Sequence, residues 1–146
     1  MQPEELRIGN YAVIHDADVD LIFQHQRIRI TSIEKELIGT EYESIKGNII
    51  NAKEDIDLIH PIPLTEDRLI EFGFIMSPYY EGGKITITKQ LYLEIRFYKD
   101  EIVSSLRYGD YVHQRHELNN IDYVHQLQNF YYDFKHKELE IQTIEA

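Results

Sequence analysis

Residues 84–107, KITITKQLYLEIRFYKDEIVSSLR, alternate apolar and polar side chains in steps of two, the mark of strands with one buried face. Ile85 and Ile87 share a side of a first strand. Leu91, Leu93, Ile95 and Phe97 share that side of a second, and Ile102 and Leu106 continue it on a third. A turn at Lys99–Glu101 joins the last two strands, so the stretch predicts a three-stranded antiparallel meander. Its other face carries Lys84, Thr86, Thr88, Tyr92, Glu94, Arg96, Tyr98, Val103, Ser105 and Arg107.

The apolar face needs a cover, and residues 120–141, NIDYVHQLQNFYYDFKHKELEI, supply one. Ile121, Val124, Leu127, Tyr131 and Phe134 recur at three- and four-residue steps, which puts them on one face of a helix. Asn119 or Asn120 is placed to cap it, with Asp122 in the first turn where the helix dipole favours an anion. Leu139–Ile141 then reads as an edge strand. On the other side of the meander, Thr65 is a good N-cap for a short helix, followed by Glu66 and Asp67 and stopped by Gly73. The second half is therefore expected as α-β-β-β-α-β.

Residues 5–60 read as short strands: Asn10–His15, Gln26–Ile33, Leu37–Ser44 and Asn48–Asn51, rich in Ile, Val, Tyr and Thr and punctuated by Gly9, Gly39 and Gly47. Their length and spacing point to a small SH3-like β-barrel closed by Ile56–Ile59. His60–Pro63, with two prolines in four residues, is the natural joint. The expected class is α+β, with a barrel-like module over residues 1–60 and an α+β unit over residues 61–146, packed separately or as one domain.

Three segments, ELRIGNY at 5–11, PIPLTEDRLIEFGF at 61–74 and YVHQLQNFYYDF with KELEI at 123–141, give the chain its resemblance to a family of small phage and mobile-element proteins of gut anaerobes. The resemblance spans most of the chain. It implies a phage or mobile-element setting and carries no known activity.

The 146 residues are enough for one domain or two small ones. The absence of cysteine excludes disulfides, thiolate nucleophiles and cysteine-ligated zinc or iron–sulfur clusters. No apolar run has the length of a signal peptide or a membrane span, so a soluble cytoplasmic protein is expected. Net charge is −11, unevenly spread. Residues 1–77 hold seven Lys/Arg against fifteen Asp/Glu, whereas residues 84–116 hold six against four. Such an acidic molecule is repelled by duplex nucleic acid, but a local cationic segment can hold a small anion.

That segment contains the leading candidate site. Tyr92 and Tyr98 stand beside Arg96, Arg107 and Lys84 on the polar face of the meander. Tyrosine stacks on flat ligands, and arginine grips phosphate or carboxylate with two donors. The same residue types also suit a solvated sheet face or a homodimer seam. A second candidate is the loop SPYYEGGK at 77–84, where Tyr79 and Tyr80 precede a glycine pair and Lys84. Gly82 and Gly83 suit either a backbone cradle for an anion or a plain loop, and the stretch lacks the spacing of a nucleotide-binding P-loop.

His113, His116 and His125 form the one histidine group to weigh as a zinc site. His116 reads as part of a connecting loop over Tyr108–His116, and His125 as a packed core residue, so no metal is expected. Asp16, Asp18 and Asp20 begin like a calcium loop, but Leu21 stands where glycine is needed and Arg27 where glutamate is needed. No nucleophile motif occurs. The expectation is a non-enzymatic accessory protein without a cofactor that antagonises host defence by sequestering a small anionic, nucleotide-derived ligand. Tyr79, Tyr80, Lys84, Tyr92, Arg96, Tyr98 and Arg107 would hold it. The alternative is an acidic interaction module that masks a host protein, possibly by nucleic-acid charge mimicry. A hydrolase assembled from His113, His116 and distant acids comes third. Homo-oligomerisation is expected in each case.

Overall fold

The computed structural model describes residues 5–14, 27–43, 46–109, 115–118 and 121–142. The chain divides into two compact units. One is Met1–Pro63 with Tyr123–His125, and the other is Leu64–Asp122 with Gln126–Ala146.

In the first unit, β1 (Tyr11–Ile14), β2 (Arg27–Ile33), β3 (Leu37–Glu43), β4 (Ile49–Asp55) and β5 (Ile59–His60) form one antiparallel sheet in the order β4-β3-β2-β1-β5. The alternation of Arg27–Thr31 works as expected: Ile28 and Ile30 are buried, and with Leu6, Ala12, Ile38 and Ile59 they make the core. The ELRIGNY segment is built around that core. Leu6 packs into it, and the buried Asn10 side chain accepts from the Arg7 amide at 2.7 Å, closing a local turn ahead of β1.

Two expectations for this unit are corrected. The sheet is open: β4 and β5 are its edges, and no pairing between them closes a barrel among the described residues. Ile56–Ile59, expected as the closing strand, is mostly a 3-10 turn over Ile56–Leu58, with only Ile59 entering β5. The cause is Asp55, whose carboxylate accepts from the Asp57 amide at 3.3 Å and turns the backbone out of extension. The strand before it is longer than expected, because Asn51–Asp55 stay paired with Leu37–Glu41. The aspartate-rich turn at Asp16, Asp18 and Asp20 lies outside the described residues.

In the second unit, helix α1 (Glu66–Glu71) starts as its sequence says: the Thr65 hydroxyl accepts from the Arg68 amide at 3.3 Å, a cap that stabilises by about 1 kcal/mol. Gly73, at φ 86°, ends it. A second antiparallel sheet follows, made of β6 (Ile75–Met76), β7 (Gly82–Thr86), β8 (Leu91–Phe97), β9 (Ile102–Tyr108) and β10 (Arg115–Leu118), in the order β10-β9-β8-β7-β6.

The register pairs Lys84 with Glu94 and Glu94 with Ser105, and Ile85 with Leu93 and Leu93 with Leu106. The two faces are therefore those the alternation assigns. Ile87, Leu93 and Ile95 are buried, as are Leu69, Phe72, Phe74, Leu127 and Leu139. Ser104, on this apolar side, donates to the Ile121 carbonyl at 3.5 Å and fixes the approach to helix α2 (Val124–Lys135).

Three differences from expectation have local causes. β10 takes Arg115 and His116 out of the expected Tyr108–His116 loop and onto β9. Leu139–Ile141 is not a strand. Leu139 is buried, and the Gln142 amide donates to the Glu71 carbonyl at 2.7 Å, so this tail is anchored to the end of α1 rather than to a sheet edge. Helix α2 begins at Val124, so Asp122 precedes its first turn, and the Gln126 side chain accepts from the Asp122 amide at 2.9 Å. Asn119 and Asn120, the expected caps, lie outside the described residues. Phe134 stays 46% exposed at the far end, paired with Phe130 at 4.9 Å between ring centroids. Among the described residues no helix is long and apolar enough to cross a membrane.

Candidate functional site

The polar face of the second sheet and the SPYYE turn, read from sequence as two separate candidates, form one site. Ile75 pairs with Lys84 and Met76 with Gly83, so residues 77–81 are the turn of the β6–β7 hairpin. The Ser77 amide donates to the Gly82 carbonyl at 2.9 Å, and the Tyr79 amide donates to the Ser77 hydroxyl at 3.1 Å. This geometry leaves Tyr79 93% exposed and carries Tyr80 back over the sheet. The Arg96 guanidinium lies 4.1 Å from the Tyr80 ring centroid, a cation–π contact.

Gly82 and Gly83 have a structural task. They are strand residues opposite Arg96 and Ile95. A Cβ on Gly82, at φ 139°, would run into the Ile95 carbonyl, and one on Gly83 would meet the Ile75 carbonyl at 2.7 Å. The pair lets three backbones approach closely, rather than lining an anion cradle.

The centre of the polar face is Glu94, which is 0% exposed. Its carboxylate accepts from Arg96 Nε at 2.7 Å, Arg107 Nη1 at 3.3 Å and Arg115 Nη2 at 2.5 Å. Burial pushes the Glu94 carboxyl up, but the Arg96 hydrogen bond and the charges of Arg115 and Arg96 outweigh it, so its pKa falls below the usual 4.5. The same carboxylate acts in the opposite sense on Tyr80: burial and then the Glu94 charge raise its phenol above the ordinary 10.0. Arg96 is held charged more firmly than usual; burial opposes this, and the bond to Glu94 overrides it.

Between the turn and the sheet lies a cavity of about 400 Å³, lined by Ile75, Met76, Ser77, Pro78, Tyr79, Tyr80, Lys84 and Arg107. Four of the seven residues singled out from sequence thus share one wall-to-wall space: Tyr79, Tyr80, Lys84 and Arg107. The other three do not line it. Tyr92 lies under Lys84, whose ammonium is 4.7 Å from its ring centroid. Arg96 is committed to Glu94 and Tyr80, and Tyr98 lies 53% exposed beyond the end of β8.

Alternation alone assigns Glu94 to a solvated face and says nothing of Arg115. The available signal for Glu94 was its place between Leu93 and Ile95 in the central strand, with arginines at both 96 and 107. Arg115 had none, since its role depends on the β9–β10 pairing.

Of the histidine group, His113 lies outside the described residues, and among the described residues no cluster of three His, Cys, Asp or Glu could hold a metal. His125 is 2% exposed, stacked on Tyr123 at 6.0 Å, with both ring nitrogens buried and without hydrogen-bond partners among the described residues. Burial lowers its pKa below 6.5, and the nearby Glu5 opposes this only in part.

The first unit also carries a hollow, about 460 Å³, lined by Tyr11, Arg27, Arg29, Glu41 and Glu43 among others. Arg29 and Glu41 are cross-strand neighbours, so its charges balance locally and it has less to offer an anion.

No protein-family model matches the chain, and neither does any curated protein or solved structure.

Proposed function

We propose that the protein is a non-enzymatic accessory protein of a phage or mobile element that antagonises host defence by binding and sequestering a small anionic, nucleotide-derived ligand in the host cytoplasm. The observation that carries this reading is the cavity lined together by Tyr79, Tyr80, Lys84 and Arg107. A base fits against the exposed Tyr79 ring with Ile75, Met76 and Pro78 as apolar backing, and Lys84 meets the phosphate as a point charge. Lys84 makes no ion pair among the described residues, so its charge is open to a ligand. The phage setting rests on the resemblance of the three segments quoted above.

Native mass spectrometry of protein purified from a host lysate tests the reading. A mass excess lost on denaturation, and absent from Lys84→Ala, supports it. A clean protein mass, together with no binding of purified nucleotides, overturns it.

A second reading has its own observation. Strand β4 is a sheet edge with Ile49 and Ile50 exposed, in the half of the chain that holds fifteen acidic residues against seven basic ones. An unpaired edge of that kind accepts a strand from a host protein or from a second copy of the chain. A complex whose affinity falls steeply with salt and is lost in Ile49→Lys supports this alternative.

A further inference from the structure

Glu94 is a peculiar residue to find at the heart of an anion site. It is fully buried, and it takes hydrogen bonds from three arginines, a set of donors ordinarily associated with a bound phosphate. One of those donors, Arg107, also lines the cavity. One carboxylate therefore fills the arginine cluster with a negative charge of the chain's own.

This has a consequence for what the cavity can accept. Arg96 and Arg115 turn toward Glu94, and neither lines the cavity. Arg107 meets the cavity with one nitrogen already on Glu94. Lys84 makes no ion pair among the described residues. An incoming anion thus finds the charge of Lys84 beside an arginine already bonded to a fixed carboxylate, which repels each added negative charge. The volume agrees: about 400 Å³ lies at the small end of the roughly 300–1,000 Å³ typical of ligand pockets, room for one nucleotide-sized molecule.

We infer that Glu94 is the specificity-determining residue of the cavity: by occupying the arginine cluster it restricts the ligand to a flat ring bearing a single phosphate-sized anionic group, and it excludes polyphosphates. The inference rests on the proposed reading of this cavity as an anion site and narrows its ligand class. Glu94 acts through Arg107 as a positioning residue, without touching the ligand.

Calorimetric titration of the full chain with AMP, ATP and inorganic pyrophosphate, without added metal, tests it in the wild type and in Glu94→Gln. The wild type is expected to favour AMP over ATP at least tenfold. Glu94→Gln keeps an acceptor for the arginines but removes the buried negative charge, and should bind pyrophosphate at least tenfold more tightly than the wild type. A wild type that favours ATP overturns the inference, and so does a folded Glu94→Gln with no gain for pyrophosphate. Should the loss of that charge prevent folding, Arg115→Gln and the double variant Glu94→Gln with Arg115→Gln carry the same comparison. At least a threefold gain of the double over the single variant is then expected, and equal affinity refutes it. A wild type that binds no nucleotide defeats the proposed function alone, because the pyrophosphate comparison still decides the role of Glu94.

Discussion

Arg96 Nε donates to the Glu94 carboxylate at 2.7 Å, and the same guanidinium lies 4.1 Å from the Tyr80 ring centroid, so one side chain links the central strand of the second sheet to the β6–β7 turn. Tyr80→Phe keeps a ring on Arg96 and should leave stability within about 0.5 kcal/mol of the wild type, read as the urea midpoint at pH 7. Tyr80→Ala removes the cation–π partner and should cost about 1 kcal/mol. An unchanged midpoint in Tyr80→Ala would mean that the turn is not held from this side.

The Glu94 carboxyl has a folded-state pKa below its usual 4.5. Its contribution is accordingly present in full above pH 4.5 and is lost as pH falls through the lower folded value. The wild type should exceed Glu94→Gln in stability at neutral pH, and the difference should shrink on acidification below that point. Urea midpoints measured for both proteins between pH 6 and pH 3 check the sign; a gap that widens on acidification would contradict it.

His125 titrates in a different window. Burial depresses its folded pKa below the ordinary 6.5, so its neutral form contributes stability that is complete above pH 6.5 and declines as pH falls through the folded value. His125→Leu, which cannot take up the proton, should flatten the pH dependence of stability below pH 6.5, read as urea midpoints of both proteins. The imidazole C–H resonances of His125 should titrate below pH 6.5, and a midpoint above it would contradict the burial.

Gly82 combines φ 139° with a Cβ position that the Ile95 carbonyl already fills. Gly82→Ala should destabilise by at least about 2 kcal/mol and disturb the hairpin that carries Tyr79 and Tyr80. Gly47→Ala is the control. It also has positive φ, at 83°, but its nearest neighbour is the Glu43 side chain at 3.8 Å, so only backbone strain of about 1 kcal/mol is expected. Circular dichroism melts of the two variants separate close approach from strain.

The sequence by itself determined what depends on near neighbours along the chain. Period-two alternation sorted Lys84–Arg107 onto two faces, and the pairing of Lys84 with Glu94 and Leu93 with Leu106 follows that sorting. Thr65 and Gly73 marked the ends of a helix because capping is a matter of three or four residues. Local chemistry misled where two local options compete. Ile56–Ile59 is apolar enough for a strand, but Asp55 turns it, and Leu139–Ile141 has strand-like residues but an anchor on Glu71 that no sequence window contains.

Only the tertiary structure decided the character of the site. Alternation assigns a residue to a face but not what comes to lie over that face, because covering elements arrive from distant positions. Here the SPYYE turn folds onto the meander and β10 adds Arg115 beside it. Glu94, an unremarked glutamate in a polar row, becomes a buried anion shared by three arginines. Arg96 is bonded to Glu94 and lies against the Tyr80 ring, while Lys84 lines the cavity. Burial and charge pairing are sums over atoms brought together in space, and a lowered carboxyl pKa or an open cation exists only once those atoms have been placed.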